Sequence, residues 1–272
     1  MFVKTYRATF PMLTSPAMLR RFTVGALAYA AVIGAQSARA AEATLAVAAN
    51  FAEVAEVLVD AFEAETDHTL RISAGSTGQL YAQIINGAPF DVFLSADQRT
   101  VAQLEAEGGA AEGTRFTYAI GKLTLWSTDG ALIGDDGAAF LQANAFRALA
   151  IANPDVAPYG LAARQTLEAL GLWETLEPKI VRGENIGQTH AMVSTGNAEA
   201  GFVALSYVLS PSNKQPGSRW DVPQEFYEPI RQDAVVTARG ADNEAATAFI
   251  AYLASAPAKA IIEDYGYAQN RA

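Results

Sequence analysis

The sequence contains no cysteine, only two histidines and no apolar run long enough to span a bilayer. Without cysteine there is neither a disulfide nor a thiolate to act as metal ligand or nucleophile. His68 falls in a turn before a strand and His190 within a helix, and two isolated imidazoles complete no metal site of the usual coordination number. There is no Gly-x-Ser-x-Gly elbow, and no motif sets a histidine beside a candidate serine, so an exported hydrolase, the competing class, lacks a nucleophile. Positive charge is scarce as well. Lys and Arg number 19 against 29 Asp and Glu, a formal net charge of −10, which makes nucleic acid and anionic membrane surfaces poor partners.

The positive charge that exists is unevenly placed. Residues 1–40 hold five basic residues (Lys4, Arg7, Arg20, Arg21, Arg39) and no acidic one. They end in the apolar run Phe22 to Ala35 and the small-x-small triplet Ala38-Arg39-Ala40. A 14-residue run is short of the roughly 20 residues a transmembrane helix needs, so residues 1–40 are predicted to be a cleavable signal peptide for export to the periplasm. Met12 and Met18 are alternative starts. Arg20-Arg21 leaves twin-arginine export open beside the preferred general secretory route. With no lipid-bearing cysteine, the mature protein is expected to diffuse freely. It carries a formal charge of −15 from Ala41 onward, so any anion it binds must be held by local dipoles and not by the global field.

The remaining chain is long enough for one large domain or two smaller ones. No repeat, low-complexity stretch or Pro/Gly/Ser linker divides it, so two lobes would be joined by ordered crossing strands. Thr44 to Ala49 reads as an apolar strand of the buried parallel type, and Leu70 to Ala74 and Asp91 to Ser95 as further strands, each followed by helical spacing. This βαβαβα series predicts a parallel α/β sheet whose ligand loops lie at the carboxyl ends of its strands. The same alternation returns later. Strands are predicted at Ala148 to Ile151, Lys179 to Arg182, Gly201 to Leu205 and Asp233 to Thr237, with Pro154 to Gly160 and Pro211 to Trp220 as loops and a helix from Leu161 to Leu170.

Turns between strand and helix carry the candidate chemistry. Gly75-Ser76-Thr77-Gly78 opens a helix, so its unpaired amides and two hydroxyls face an anion at the positive end of the macrodipole. Asn50 stands at a helix N-cap position, and Ala157-Pro158-Tyr159-Gly160 and Glu184-Asn185-Ile186-Gly187 repeat the arrangement. Other conspicuous residues receive plainer readings. Asp91 and Asp97 are turn and cap residues, Trp220, Phe226, Tyr227 and Tyr252 are packing, and Lys122 reaches solvent along its stem.

Six segments together resemble the periplasmic molybdate-binding proteins of ABC transporters. They are Ala-Ala-Asn-Phe at 48–51, Gly-Ser-Thr-Gly at 75–78, Asn-Gly-Ala-Pro-Phe-Asp-Val-Phe-Leu-Ser-Ala-Asp at 86–97, Ala-Ile-Gly-Lys-Leu-Thr-Leu-Trp-Ser at 119–127, Asn-Pro-Asp-Val-Ala-Pro-Tyr-Gly at 153–160 and Gly-Phe-Val-Ala-Leu at 201–205. The resemblance covers essentially the whole mature chain and implies a two-lobed α/β fold, each lobe a mostly parallel sheet flanked by helices, with the ligand cleft between them. It implies a first lobe of residues 41–122 plus 230–272 and a second of residues 123–229. The implied function is that of an importer's substrate-binding component, not an enzyme. Such a protein captures molybdate and tungstate without a cofactor, works as a monomer and delivers to a membrane permease; sulfate, another tetrahedral dianion, is the alternative ligand. By this resemblance the oxyanion is held by Asn50 and Thr77 through backbone and side chain, by Tyr159 through hydroxyl or amide, and by the backbone N–H of Ile186. Ser76 is a second choice that shapes its turn. One departure is Ala204, which stands where many members carry a ligand tyrosine.

Overall fold

The computed structural model of the protein describes residues 40–269; the predicted leader up to Arg39, with its alternative starts and arginine pair, lies outside the described residues. Strands β1 (Glu42–Ala48), β2 (Thr69–Gly75), β3 (Val92–Leu94) and β4 (Phe116–Gly121) belong to a first sheet, and β5 (Leu123–Ser127), β6 (Leu149–Ala152), β7 (Ile180–Gly183), β8 (Ala200–Ala204) and β9 (Ser218–Asp221) form a second. Strand β10 (Ile230–Val236) then returns to the first.

The orders β2-β1-β3-β10-β4 and β7-β6-β8-β5-β9 are the same pattern twice. Each sheet has a parallel trio (β2, β1, β3 and β7, β6, β8) and one strand set against it, β10 and β5 respectively. Those opposed strands are the ones that bring the chain in from the other sheet, so they arrive from the end at which the βα units leave.

Period-two alternation places each sheet's side chains. Leu45 and Val47 of β1, Val92 and Leu94 of β3, and Ala234 and Val236 of β10 enter one core, whereas Ala46, Phe93 and Val235 enter the core on the opposite face. In the second sheet Leu149 and Ile151 of β6 face one core and Ala150 the other. Strands apolar on both faces are what a sheet covered by helices on both sides requires. Helices α1 (Ala52–Glu65), α2 (Thr77–Ile85) and α3 (Gln98–Ala106) cover the first sheet, together with α9 (Glu244–Leu253) and α10 (Ala256–Asp264); α4 (Gly137–Ala143), α5 (Pro158–Ala169), α6 (Trp173–Leu176), α7 (Ile186–Ser194) and α8 (Leu205–Leu209) accompany the second.

Several local expectations are corrected. Helix α5 begins at Pro158, not Leu161: proline's missing N–H is an orphan in any first turn, so it opens the helix at N1. Part of the 211–220 loop is strand β9, held at the sheet edge by its ladder to β5. Tyr252 packs with Phe62 and Phe249 in the first lobe, apart from the Trp220–Phe226 pair of the second. Asp97 is a cap as expected, whereas the Asp91 side chain ties its segment to β1. The Asp91 carboxylate accepts from the Thr44 amide at 2.8 Å, and Asp97 caps α3 by accepting from the Thr100 amide at 2.7 Å.

Candidate functional site

The carboxyl ends of β1, β2, β6 and β7 point toward one another across the line between the sheets. The turns after these strands line a single small cavity, bounded by Ala48–Asn50, Gly75–Thr77, Ala96, Ala157–Tyr159 and Asn185–Ile186. Asn50, Thr77, Tyr159 and Ile186 thus share one small chamber, two from each lobe. Its lining is free of charged side chains.

Three of these four turns are true helix starts. Ser76 caps α2, its Oγ accepting from the Gln79 amide at 3.4 Å, which leaves Thr77 at N1. Asn185 caps α7 by accepting from the Gln188 amide at 3.0 Å, with Ile186 at N1. Tyr159 follows Pro158 in the first turn of α5. First-turn amides have no carbonyl four residues back and carry the positive end of the helix dipole.

The Asn50 turn departs from expectation. Residues Ala49–Phe51 form a 3-10 turn ahead of α1, and Asn50 makes no cap. Its side chain turns inward instead: Nδ2 donates to Gln232 Oε1 at 2.9 Å and to the Tyr267 hydroxyl at 3.0 Å. The Asn50 carbonyl in turn accepts from Tyr267 at 2.7 Å and from Ser206 at 3.1 Å. With both side-chain N–H donors engaged, the donor Asn50 has left for the cavity is its backbone N–H. Thr77 differs, since Oγ1 accepts from the Ala96 amide at 3.0 Å and the hydroxyl keeps its own proton to donate.

Tyr159 is 2% exposed, and its hydroxyl accepts from Gln232 Nε2 at 3.2 Å. Burial holds that phenol well above its ordinary pKa of 10, as it does Tyr118, and pushes Tyr267 up to about 12. The phenol is therefore a neutral member of an interior network, and the Tyr159 amide stands in the first turn of α5. Gln232, Tyr267 and Tyr118, which support the chamber from behind, give no local sequence signal, because their partners are remote in the chain.

Further contacts join the lobes around the chamber. The Gly78 amide donates to the Val156 carbonyl at 3.0 Å, and Tyr207 donates to the Ala49 carbonyl at 2.6 Å. Ala204, the site of the departure from the resemblance, is fully buried in the second lobe's core; the phenol near this edge is Tyr207. Behind it His190 is stacked between Trp126 and Tyr207, with ring centroids 4.9 Å away on each side. Burial lowers the His190 pKa against an opposing pull from Glu53. Lys122 is exposed, and neither histidine lines the chamber.

A chamber of this composition suits a small, fully deprotonated oxyanion: it offers N–H and O–H donors and no carboxylate acceptor. Comparison with known proteins agrees. The Azotobacter vinelandii molybdate-binding protein ModA is 52% identical over 231 residues, covering 85% of this chain and 91% of that protein. The Rhodobacter capsulatus molybdate-binding protein ModA is 47% identical, covering 89% and 95%. The solved Azotobacter vinelandii periplasmic molybdate-binding protein superposes with a TM-score of 0.81 at 42% identity, over 84% of this chain and all of that one. The model of the bacterial extracellular solute-binding proteins matches residues 43–268. With the paired sheets, the facing helix starts and a match across nearly all described residues, the chain belongs to the bacterial extracellular solute-binding protein family, whose members bind solutes and are not enzymes.

Proposed function

We propose that this protein is the periplasmic substrate-binding component of an ABC importer, and that it captures molybdate and tungstate in the chamber between its lobes and delivers them to a membrane permease. The observation that carries the reading is the uncharged chamber ringed by Asn50, Thr77, Tyr159 and Ile186; the two molybdate-binding relatives near 50% identity support it. The backbone amides of all four and the Thr77 hydroxyl are the proposed donors, with Ser76 shaping its turn. Residues 41–122 with 230–272, and residues 123–229, act as the two lobes of a monomer that closes on the anion, and residues 1–40 direct export.

Selection among tetrahedral anions follows from size and protonation. Donors placed for long metal–oxygen bonds leave sulfate short of some of them, and each unmet donor in a closed site costs about 1–3 kcal/mol. Monohydrogen phosphate brings a proton for which the lining has no carboxylate. The test is calorimetric titration of the mature chain with molybdate, tungstate, sulfate and phosphate. Molybdate and tungstate are expected to bind, and a large excess of sulfate to leave them bound. Sulfate displacing molybdate at comparable concentration would overturn the assignment.

A further inference from the structure

The chamber needs its two halves at a fixed separation, and one side chain touches the supports of both. Gln232 of β10 is completely buried. Its Oε1 accepts from Asn50 Nδ2 at 2.9 Å and from the Tyr118 hydroxyl at 3.0 Å, and its Nε2 donates to the Tyr159 hydroxyl at 3.2 Å. Asn50 belongs to the first lobe's turn and Tyr159 to the second lobe's helix α5. One carboxamide thereby joins both, using oxygen toward one lobe and nitrogen chiefly toward the other.

The backbone around it serves the same contact. The β10–β4 ladder shifts register beside Gln232: Ala119 and Thr117 pair with Gln232 and Asp233 and leave Tyr118 of β4 as the extra, unpaired residue, a bulge that re-aims a side chain, and it is the Tyr118 hydroxyl that reaches Gln232. Gln232 and Asp233 are both buried, on opposite faces of a sheet that is covered on both sides. Asp233 pairs with Arg115 at 2.6 Å, while Gln232 points under the chamber. At Gly121, the last residue before the chain crosses to the second sheet, a Cβ would lie 2.1 Å from the Tyr159 hydroxyl and 2.6 Å from Gln232 Nε2. Only a residue without a side chain lets these two groups meet against the crossing strand.

We propose that Gln232 is a positioning residue that sets the register of the two half-sites, and so determines which oxyanion fits; this rests on the reading of the chamber as an oxyanion site. Hydrogen-bond partners that orient the ligands of a metal site typically change affinity by about ten- to a hundredfold when removed, and an effect of that order is expected here. A loss of register also has a signature that lost packing lacks. Half-sites no longer held at one spacing discriminate anions less, so the ratio of molybdate to sulfate affinity falls along with molybdate affinity itself.

The experiment uses the mature chain with Gln232→Met, which keeps length and volume but none of the three hydrogen bonds, and Tyr159→Phe, which removes only the second-lobe partner. Affinities for molybdate and sulfate are measured by calorimetry, and the ligand-free melting midpoint is recorded alongside. Expected are at least about a tenfold loss of molybdate affinity in Gln232→Met, a smaller loss in Tyr159→Phe, a reduced molybdate-to-sulfate ratio in both, and a double variant weaker by less than the product of the two losses. A folded Gln232→Met that keeps molybdate affinity and selectivity within twofold overturns the proposal. Should Gln232→Met not fold, Tyr159→Phe decides by the same ratio, an unchanged ratio refuting it. An unaltered chain that binds no oxyanion would instead sink the functional reading, which keeps the two failures distinct.

Discussion

Gly78 offers the sharpest test of how closure is achieved, because one added methyl should move stability and affinity in opposite directions. It sits in the first turn of α2, and its amide donates to the Val156 carbonyl of the other lobe at 3.0 Å. A Cβ built there lies 3.2 Å from the Val156 Cα, 3.2 Å from its Cβ and 3.3 Å from its carbonyl oxygen, tighter than ordinary van der Waals contact. Overpacking of this sort costs about 1–3 kcal/mol, and here the cost falls only on the form in which the lobes meet. Gly78→Ala is therefore predicted to weaken molybdate binding by about 5- to 150-fold. Within its own lobe the substitution does the reverse: the φ angle is not left-handed, and alanine in a helix is worth up to about 1 kcal/mol over glycine. The ligand-free melting midpoint should hold or rise. Titration calorimetry paired with thermal melting without ligand reads both quantities. Affinity within twofold of the unaltered protein would show that Val156 yields at no cost and that the Gly78–Val156 contact does not limit closure.

Thr77→Ala is expected to lower molybdate affinity by about 1.5–3 kcal/mol, the range for a hydrogen bond to a charged group, while Ile186→Val, which leaves the backbone N–H in place, changes little; equal losses in calorimetry would contradict the assignment of donors. Gly121→Ala drives a methyl into the Tyr159 hydroxyl and should cost about 1–3 kcal/mol of stability along with binding, read by denaturant melts and titration. On the alkaline side, burial raises the Tyr159, Tyr118 and Tyr267 phenols, the last to about 12. The unfolded chain loses those protons near pH 10 before the folded one does, so stability is present below about pH 10 and declines above it. Binding should stay flat from pH 7 to 9, and a collapse of affinity inside that interval would reveal a titrating ligand group. On the acid side the lowered His190 acts with opposite sign: the unfolded chain takes up a proton below its reference pKa of about 6.5 that the folded chain resists. His190→Phe should therefore flatten the fall in melting midpoint between pH 7 and 5, and an unchanged slope would assign that fall to other groups.

Features set by neighbours in sequence were readable without a structure. Ser76 and Asp97 act as caps through amides three residues on, and the central strands β1, β3, β6 and β8 announced themselves as apolar runs. Features set by remote partners were not. Gln232 meets Asn50 across 182 residues and Tyr159 across 73, so in the sequence it is one polar residue ahead of an apolar strand. Ser218-Arg219-Trp220-Asp221 has no apolar run, and becomes a strand only because β5 offers a ladder edge. The partner of the Tyr159 hydroxyl was equally hidden, because Gln232 comes from a strand 73 residues further on. Asn50 was misread as a cap for the same reason, since its true acceptors, Gln232 and the Tyr267 hydroxyl, arrive from the end of the chain.

The repeated strand order has a geometric corollary. Because β2-β1 in one sheet and β7-β6 in the other occupy the same places, each lobe brings two turns to the chamber from equivalent strands, so the four turns come in matched pairs. A regular tetrahedron has half-rotation axes of its own, each exchanging its vertices two by two. Set between two such pairs of turns, a tetrahedral anion can turn two oxygens to each half. A planar three-oxygen anion set there must give one half a single oxygen and the other a pair, and an odd number of vertices cannot be shared evenly between two like jaws.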